Sequence, residues 1–240
     1  MTRKGRFMMI DGIDGSGKGT AANAVAEWMR KKGKKVFDVV AYEKEHGTLP
    51  ELADFKSFHL LVVAEPTHSL IGKAIREELI HRNGRSYSPE TIAQAFSMDR
   101  LILYTKVILP ALARGIDVVQ ERGVSTSICY QPLQSKSLTV QSVAKREGNA
   151  LALRHTPDIL LIMSLSADDA LRRLRGRTSK RDNSMYEKLA FLTKANRRFQ
   201  SRQFQNFFAK RGSRVVVVNA GVPIAKMKRA AIELWEKYME

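Results

Sequence analysis

Six short apolar runs punctuate the chain, at about 6–11, 35–41, 58–64, 116–121, 158–164 and 214–219, and each predicts a strand. Two of them, Asp158 to Ser164 and Arg214 to Asn219, are continuous rather than alternating. Strands read that way when both faces are covered, as in a parallel sheet wrapped by helices. Segments of helical periodicity lie between and beyond them, at about 17–33, 69–82, 89–114, 136–155, 166–175, 184–211 and 223–239. The alternation predicts an α/β fold with an open, mostly parallel sheet flanked by helices. Punctuation agrees: Ser88-Pro89 and Ser166 are helix-start signals, and Gly33, Gly115 and Gly212 stand at helix ends. No repeat or linker divides the chain, so residues 1–240 are expected to form one domain. A polar stretch at 42–57, with Gly47 and Pro50, reads equally as a loop, a short helix or an inserted edge element.

Charge narrows the partners. Forty-one Lys and Arg against 24 Asp and Glu give a net charge of +17, which points to anionic partners without choosing among them. A single cysteine, Cys129, excludes an internal disulfide and suits a reducing compartment. The apolar run Phe7 to Ile10 is too short for a signal-peptide core, and no stretch approaches a membrane span. A soluble cytoplasmic protein without membrane partners is expected.

The clearest chemistry is Gly12-Ile13-Asp14-Gly15-Ser16-Gly17-Lys18-Gly19-Thr20, between the first strand and the first helix. That context defines a Walker A phosphate loop, whose glycines let backbone N–H groups surround phosphate oxygens at a helix N-terminus. Lys18 is placed to reach the β- and γ-phosphates. The residue after this lysine is usually Ser or Thr, which ligates magnesium; here it is Gly19, a Lys-Gly-Thr variant similar to that of adenylate kinases.

Beyond the loop, ordered segments carry a resemblance. They are Glu65-Pro66 after an apolar run, Gly72 to Arg76, Phe96 to Arg100, Ile108 to Gly115, Glu121-Arg122-Gly123 leading to Ser127 and Tyr130-Gln131, and Asp182 before Phe191. In this order and spacing the chain resembles the thymidylate kinase family of P-loop nucleoside monophosphate kinases, over nearly everything except 42–57. The resemblance implies transfer of the γ-phosphoryl of ATP to dTMP to give dTDP, with Mg2+, in a homodimer. It implies a cis Glu65-Pro66 bond beneath the base, Phe96 stacking on a pyrimidine, and Arg100 and Gln131 bonding to the base. By spacing alone, Phe96 as a core residue and Arg100 as a surface charge is the plainer reading. Arg76 and Arg122 become candidates for the acceptor phosphate, Asp14 and Ser127 for further acceptor contacts, and Glu121 for magnesium. Gly123 replaces a tyrosine that packs against the acceptor sugar, so exclusion of ribose is expected to be weaker.

Residues 172–181 carry six positive charges around Gly176, and the resemblance makes about 172–185 a lid over ATP. The family's P-loop arginine position is Gly15, so Arg175, Arg177 and Arg181 are the candidate catalytic arginines. Two alternatives stand beside this reading. One is a kinase for another nucleoside monophosphate. The other is a nucleic-acid-binding P-loop ATPase using Lys31-Lys32-Lys34-Lys35 and Arg197-Arg198-Arg202.

Overall fold

The computed structural model describes residues 4–176 and 184–239. In chain order the elements are β1 (Phe7–Gly12), α1 (Lys18–Lys31), β2 (Val36–Asp38), α2 (Val39–His46), α3 (Leu52–Phe55), β3 (Leu60–Ala64), α4 (Leu70–Ala74), α5 (Pro89–Leu103), α6 (Leu109–Ala113), β4 (Asp117–Glu121), α7 (Val124–Tyr130), α8 (Val140–Ala144), α9 (Glu147–Arg154), β5 (Ile159–Ser164), α10 (Ala167–Arg175), α11 (Leu189–Gln200), α12 (Arg202–Ala209), β6 (Arg214–Asn219) and α13 (Ile224–Met239). All six strands pair in parallel, in the order β2-β3-β4-β1-β5-β6.

β1 is buried along its whole length, as its apolar run demands. It lies between β4 and β5, with Ile10 opposite Glu121 and Gly12 opposite Met163. Carboxylates fix its start: Arg6 N donates to Asp117 Oδ1 and Phe7 N to Asp158 Oδ2, both at 2.7 Å. The carboxyl ends of β1, β3 and β4 therefore meet at one rim, where ligands gather in open α/β sheets.

Several expected elements change shape. The second strand stops at Asp38 rather than 41, because the Asp38 carboxylate accepts from Ala41 N at 3.0 Å and opens α2. The 42–57 stretch thus holds most of α2 and all of α3, the helical one of its three expected readings, beside the edge strand β2. The helix expected at 89–114 is interrupted by a π turn, Tyr104–Ile108. Pro110 has no N–H and its ring crowds the carbonyl four residues back, so the ladder widens there. A second π turn, Ile75–Leu79, extends α4. Residues 136–155 and 184–211 each split into two helices, the latter pair at Ser201, whose Oγ accepts from Phe204 N at 3.2 Å.

Candidate active site

One cavity of about 660 Å³ opens along that rim. Asp14, Gly15, Gly17, Lys18, Gly19 and Thr20 line one end, and Gly12 and Ile13 lie buried beneath them. The loop turns so tightly that Gly15 takes φ 81°, and a Cβ there would stand 2.5 Å from the Ala170 carbonyl oxygen of α10. No side chain fits, so an arginine at this position is sterically excluded. Ser16 Oγ is buried without a hydrogen-bond partner, a donor that a phosphate oxygen would satisfy. Lys18 is 3 % exposed and its Nζ donates to Ile13 O at 2.7 Å. Burial first, and then the Arg122 guanidinium, pull its pKa down to about 8, against the opposing pull of Asp14, Glu121 and Asp11.

Arg122, immediately after β4, has a left-handed backbone with φ 63° and pairs through Nη2 with Asp14 Oδ1. Asp14 Oδ2 also accepts from the Tyr130 hydroxyl at 3.1 Å. Burial opposes the Arg122 charge, but Asp14, Tyr130, Asp11 and Glu121 outweigh it and hold the guanidinium protonated. Asp11 is fully buried beneath this pair, accepting from Ser125, Thr126 and Gly12 N, and is thereby occupied.

The opposite end of the cavity is lined by Glu65, Pro66, Arg76, Phe96, Ser127 and Gln131. The Glu65-Pro66 bond is cis, as the resemblance implies. Arg76 braces this turn: its Nε donates to Pro66 O at 3.0 Å and to Thr67 O at 3.1 Å. Gln131 is 2 % exposed; Nε2 donates to Ser127 Oγ at 3.2 Å, while Oε1 has no hydrogen-bond partner.

Arg100 is placed differently from its neighbours. It is 1 % exposed and stands behind the wall rather than on it. Nη2 pairs with Glu65 Oε2 at 2.5 Å and donates to Ser127 Oγ at 3.1 Å, while Nη1 donates to Asn149 Oδ1. Phe96, four residues earlier on α5, does line the cavity, and the reading of Arg100 as a surface charge from spacing alone is overturned by its burial. Gly123 does not line the cavity; a Cβ there would lie 2.5 Å from Met9 Cε.

At the lid, α10 is capped by Ser166, whose Oγ accepts from Asp169 N at 3.1 Å, and it ends at the exposed Arg175. Arg177, Arg181 and Asp182 lie outside the described residues. The chain returns at Ser184, bridged to His81, and Tyr186 packs on Tyr130 and Phe191 with ring centroids 5.5 and 5.2 Å apart. Tyr186 thus packs on the tyrosine that donates to Asp14.

Sequence reasoning missed the supports of the acceptor wall. Gln120 Nε2 donates to Glu65 Oε1 at 2.8 Å, and Asp99 accepts from Thr67 N and Oγ1 at 2.8 and 2.6 Å. A glutamine inside an apolar strand was the available signal for the first. Asp38, Val40, Ala41 and Lys44 of the 36–46 segment also line the cavity, and Glu43 behind them accepts from His68 N at 2.8 Å.

A phosphate loop following a central strand of a parallel sheet, and sharing one cavity with a second wall of polar and aromatic side chains, is the arrangement of a P-loop phosphotransferase acting between two small ligands. The comparisons are narrower. The family described as "Thymidylate kinase" matches residues 47–230. A probable thymidylate kinase of Pyrococcus horikoshii is 31% identical over 179 residues, covering 72% of this chain and 71% of that protein. One from Thermococcus gammatolerans is 28% identical over 97% of both chains, and the thymidylate kinase of Prochlorococcus marinus is 28% identical over 82% of both. The chain belongs to the thymidylate kinase family.

Proposed function

We propose that the chain transfers the γ-phosphoryl group of ATP to dTMP, giving dTDP. The observation that carries this reading is the single cavity joining the phosphate loop to a wall where Phe96 offers a stacking face and buried Gln131 an unpartnered acceptor. A pyrimidine imide N–H would satisfy that acceptor, and family membership supplies thymine as the base.

Each charge then has a task. Lys18 draws the donor phosphates into the loop and neutralises charge that develops on the transferring group. Arg122 and Arg76 hold the acceptor phosphate in forked geometry, and Asp14, oriented by Arg122 and Tyr130, places the acceptor. Arg100, through Glu65 and Ser127, keeps the base wall in position. One of Arg175, Arg177 and Arg181 closes over the transferring group, since Gly15 has no room for an arginine. Among the described residues no cluster of three acidic, histidine or cysteine side chains forms a cage for a cation. Magnesium suits such a site, because one or two carboxylates with phosphates and waters suffice for it. Glu121 is the residue that would hold it, and when bound it would supply positive charge that neutralises the phosphates.

No helix among the described residues is long and apolar enough to cross a membrane. A cytoplasmic homodimer acting on nucleotides, rather than on nucleic acid, is the assembly we infer from family membership. A coupled assay over dTMP, dUMP, UMP and AMP tests the substrate reading. dTMP is expected to give the highest kcat/KM, and a higher value for AMP would overturn the assignment of the base wall.

A further inference from the structure

Two residues stand out at the mouth of the phosphate loop: a glycine follows the loop lysine where Ser or Thr is usual, and a glutamate ends β4 where the resemblance has a shorter aspartate. They stand against each other. A Cβ added at Gly19 would lie 2.7 Å from Glu121 Oε2, 3.4 Å from Cδ and 3.6 Å from Oε1. Real Cβ atoms do not come that close to an oxygen, so the Glu121 carboxylate, the end of a flexible side chain, stands in the volume of a Cβ at position 19 and would have to turn aside for it.

Local propensity opposes a glycine here. Gly19 is the second residue of α1, and glycine in a helix costs about 1 kcal/mol relative to alanine. A residue that breaks a local rule without a local gain is expected where function needs the space. Thr20 does not supply the missing hydroxyl in the same place, because successive helical residues are turned by about 100°.

We propose that Gly19 and Glu121 form one compensating unit. The glycine vacates the position from which a Ser or Thr hydroxyl would face the phosphates, and the longer carboxylate reaches into that space and takes over the task of holding the divalent cation. It follows that restoring the common loop residue alone is harmful, because a serine at 19 turns the carboxylate away. The repair works only when the acid is shortened at the same time. This rests on the reading of Glu121 as the cation-holding residue.

The test is a double-mutant cycle on the full chain with Gly19→Ser, Glu121→Asp and the double variant. It is read by Mn2+ titration with electron paramagnetic resonance in the presence of ADP, beside calorimetric ADP affinity without metal and thermal melting. Gly19→Ser is expected to keep its melting temperature and metal-free ADP affinity while Mn2+ binding weakens by about tenfold. Glu121→Asp alone is also expected to weaken it, and the double variant to return to within about threefold of the natural protein. Gly19→Ala, which adds bulk without a hydroxyl, should not be rescued by Glu121→Asp. If ADP fails to promote Mn2+ binding in the natural protein, or Glu121→Gln leaves that binding unchanged, the underlying cation reading falls. If those controls behave and Gly19→Ser keeps full Mn2+ affinity, or the double variant is only as weak as the two effects multiplied, the compensation itself is overturned.

Discussion

Lys18 loses part of its charge near neutral pH only because it is buried beside Arg122. A bound polyphosphate opposes both effects and favours the charged form. Nucleotide binding should therefore take up protons between about pH 8 and the ordinary lysine range. Calorimetry in buffers of different ionisation heat is expected to show that uptake at pH 8.5 and its loss in Lys18→Ala, which should fold but not transfer phosphate. Arg100 is the other decisive residue. Removing its charge, as in Arg100→Met, leaves the Glu65 carboxylate buried and unpaired, and should cost about 3–5 kcal/mol of stability by urea denaturation. Part of this contrast was legible in the sequence. The loop, its lysine and the acids and arginines around it follow from residue types in fixed order. That Arg100 faces Glu65, Ser127 and Asn149 does not, because those partners lie 27 to 49 residues away and meet only through packing.

At the scale of elements, α2 is the clearest departure from expectation. Its polar sequence left loop, helix and edge element open, and the deciding contact is the Asp38 cap, one residue inside a run that reads as a strand. α2 also buries Glu43, whose pKa is pushed up to about 7 by burial first and by Asp99 further, against His68 N and Arg76. The unfolded chain releases this proton near 4.5 and the folded chain near 7. Between those values the folded state binds more protons, so this group's contribution falls as pH rises and is flat above 7. Urea denaturation at pH 5 and pH 7.5 should show Glu43→Gln losing less stability across the interval than the natural protein, by about 2 kcal/mol. The basic end of α10 carries the second expectation at this scale. Changing Arg175, Arg177 and Arg181 singly to Lys keeps charge and removes the fork, and at least one should lower kcat by about tenfold. Full kcat in all three would reduce the lid to an electrostatic cover.

For the whole molecule, the open parallel sheet flanked by helices was readable because six apolar runs alternate with helical segments, whereas the strand order was not, since non-local pairing sets it. The edge strand β2 falls within the run expected at 35–41, but three residues carry too little pattern to show where the strand ends and α2 begins. The +17 charge belongs to this scale too. If its role is to draw anionic nucleotides in, raising NaCl from about 0.05 to 0.5 M should raise KM for both substrates with little change in kcat. A steep salt dependence of oligonucleotide binding in the same range would instead assign the surface to nucleic acid.

The placement of β1 bears on synthesis. It precedes the other five strands in the chain, yet its two neighbours, β4 and β5, end at residues 121 and 164. While the ribosome is still producing β2, β3 and the helices after them, the loop-bearing strand has no partner on either side. Its apolar run stays open to chaperones and to wrong pairing, as non-local parallel strands do. ATP cannot steady the early nascent chain, because the loop gains its backing from β5 and α10 only once the chain has emerged through residue 175. The nucleotide therefore acts as a late ligand of folding: it locks a nearly finished sheet rather than seeding it. Stalled chains that end before β5 should be cleaved by protease at the same rate with or without ATP.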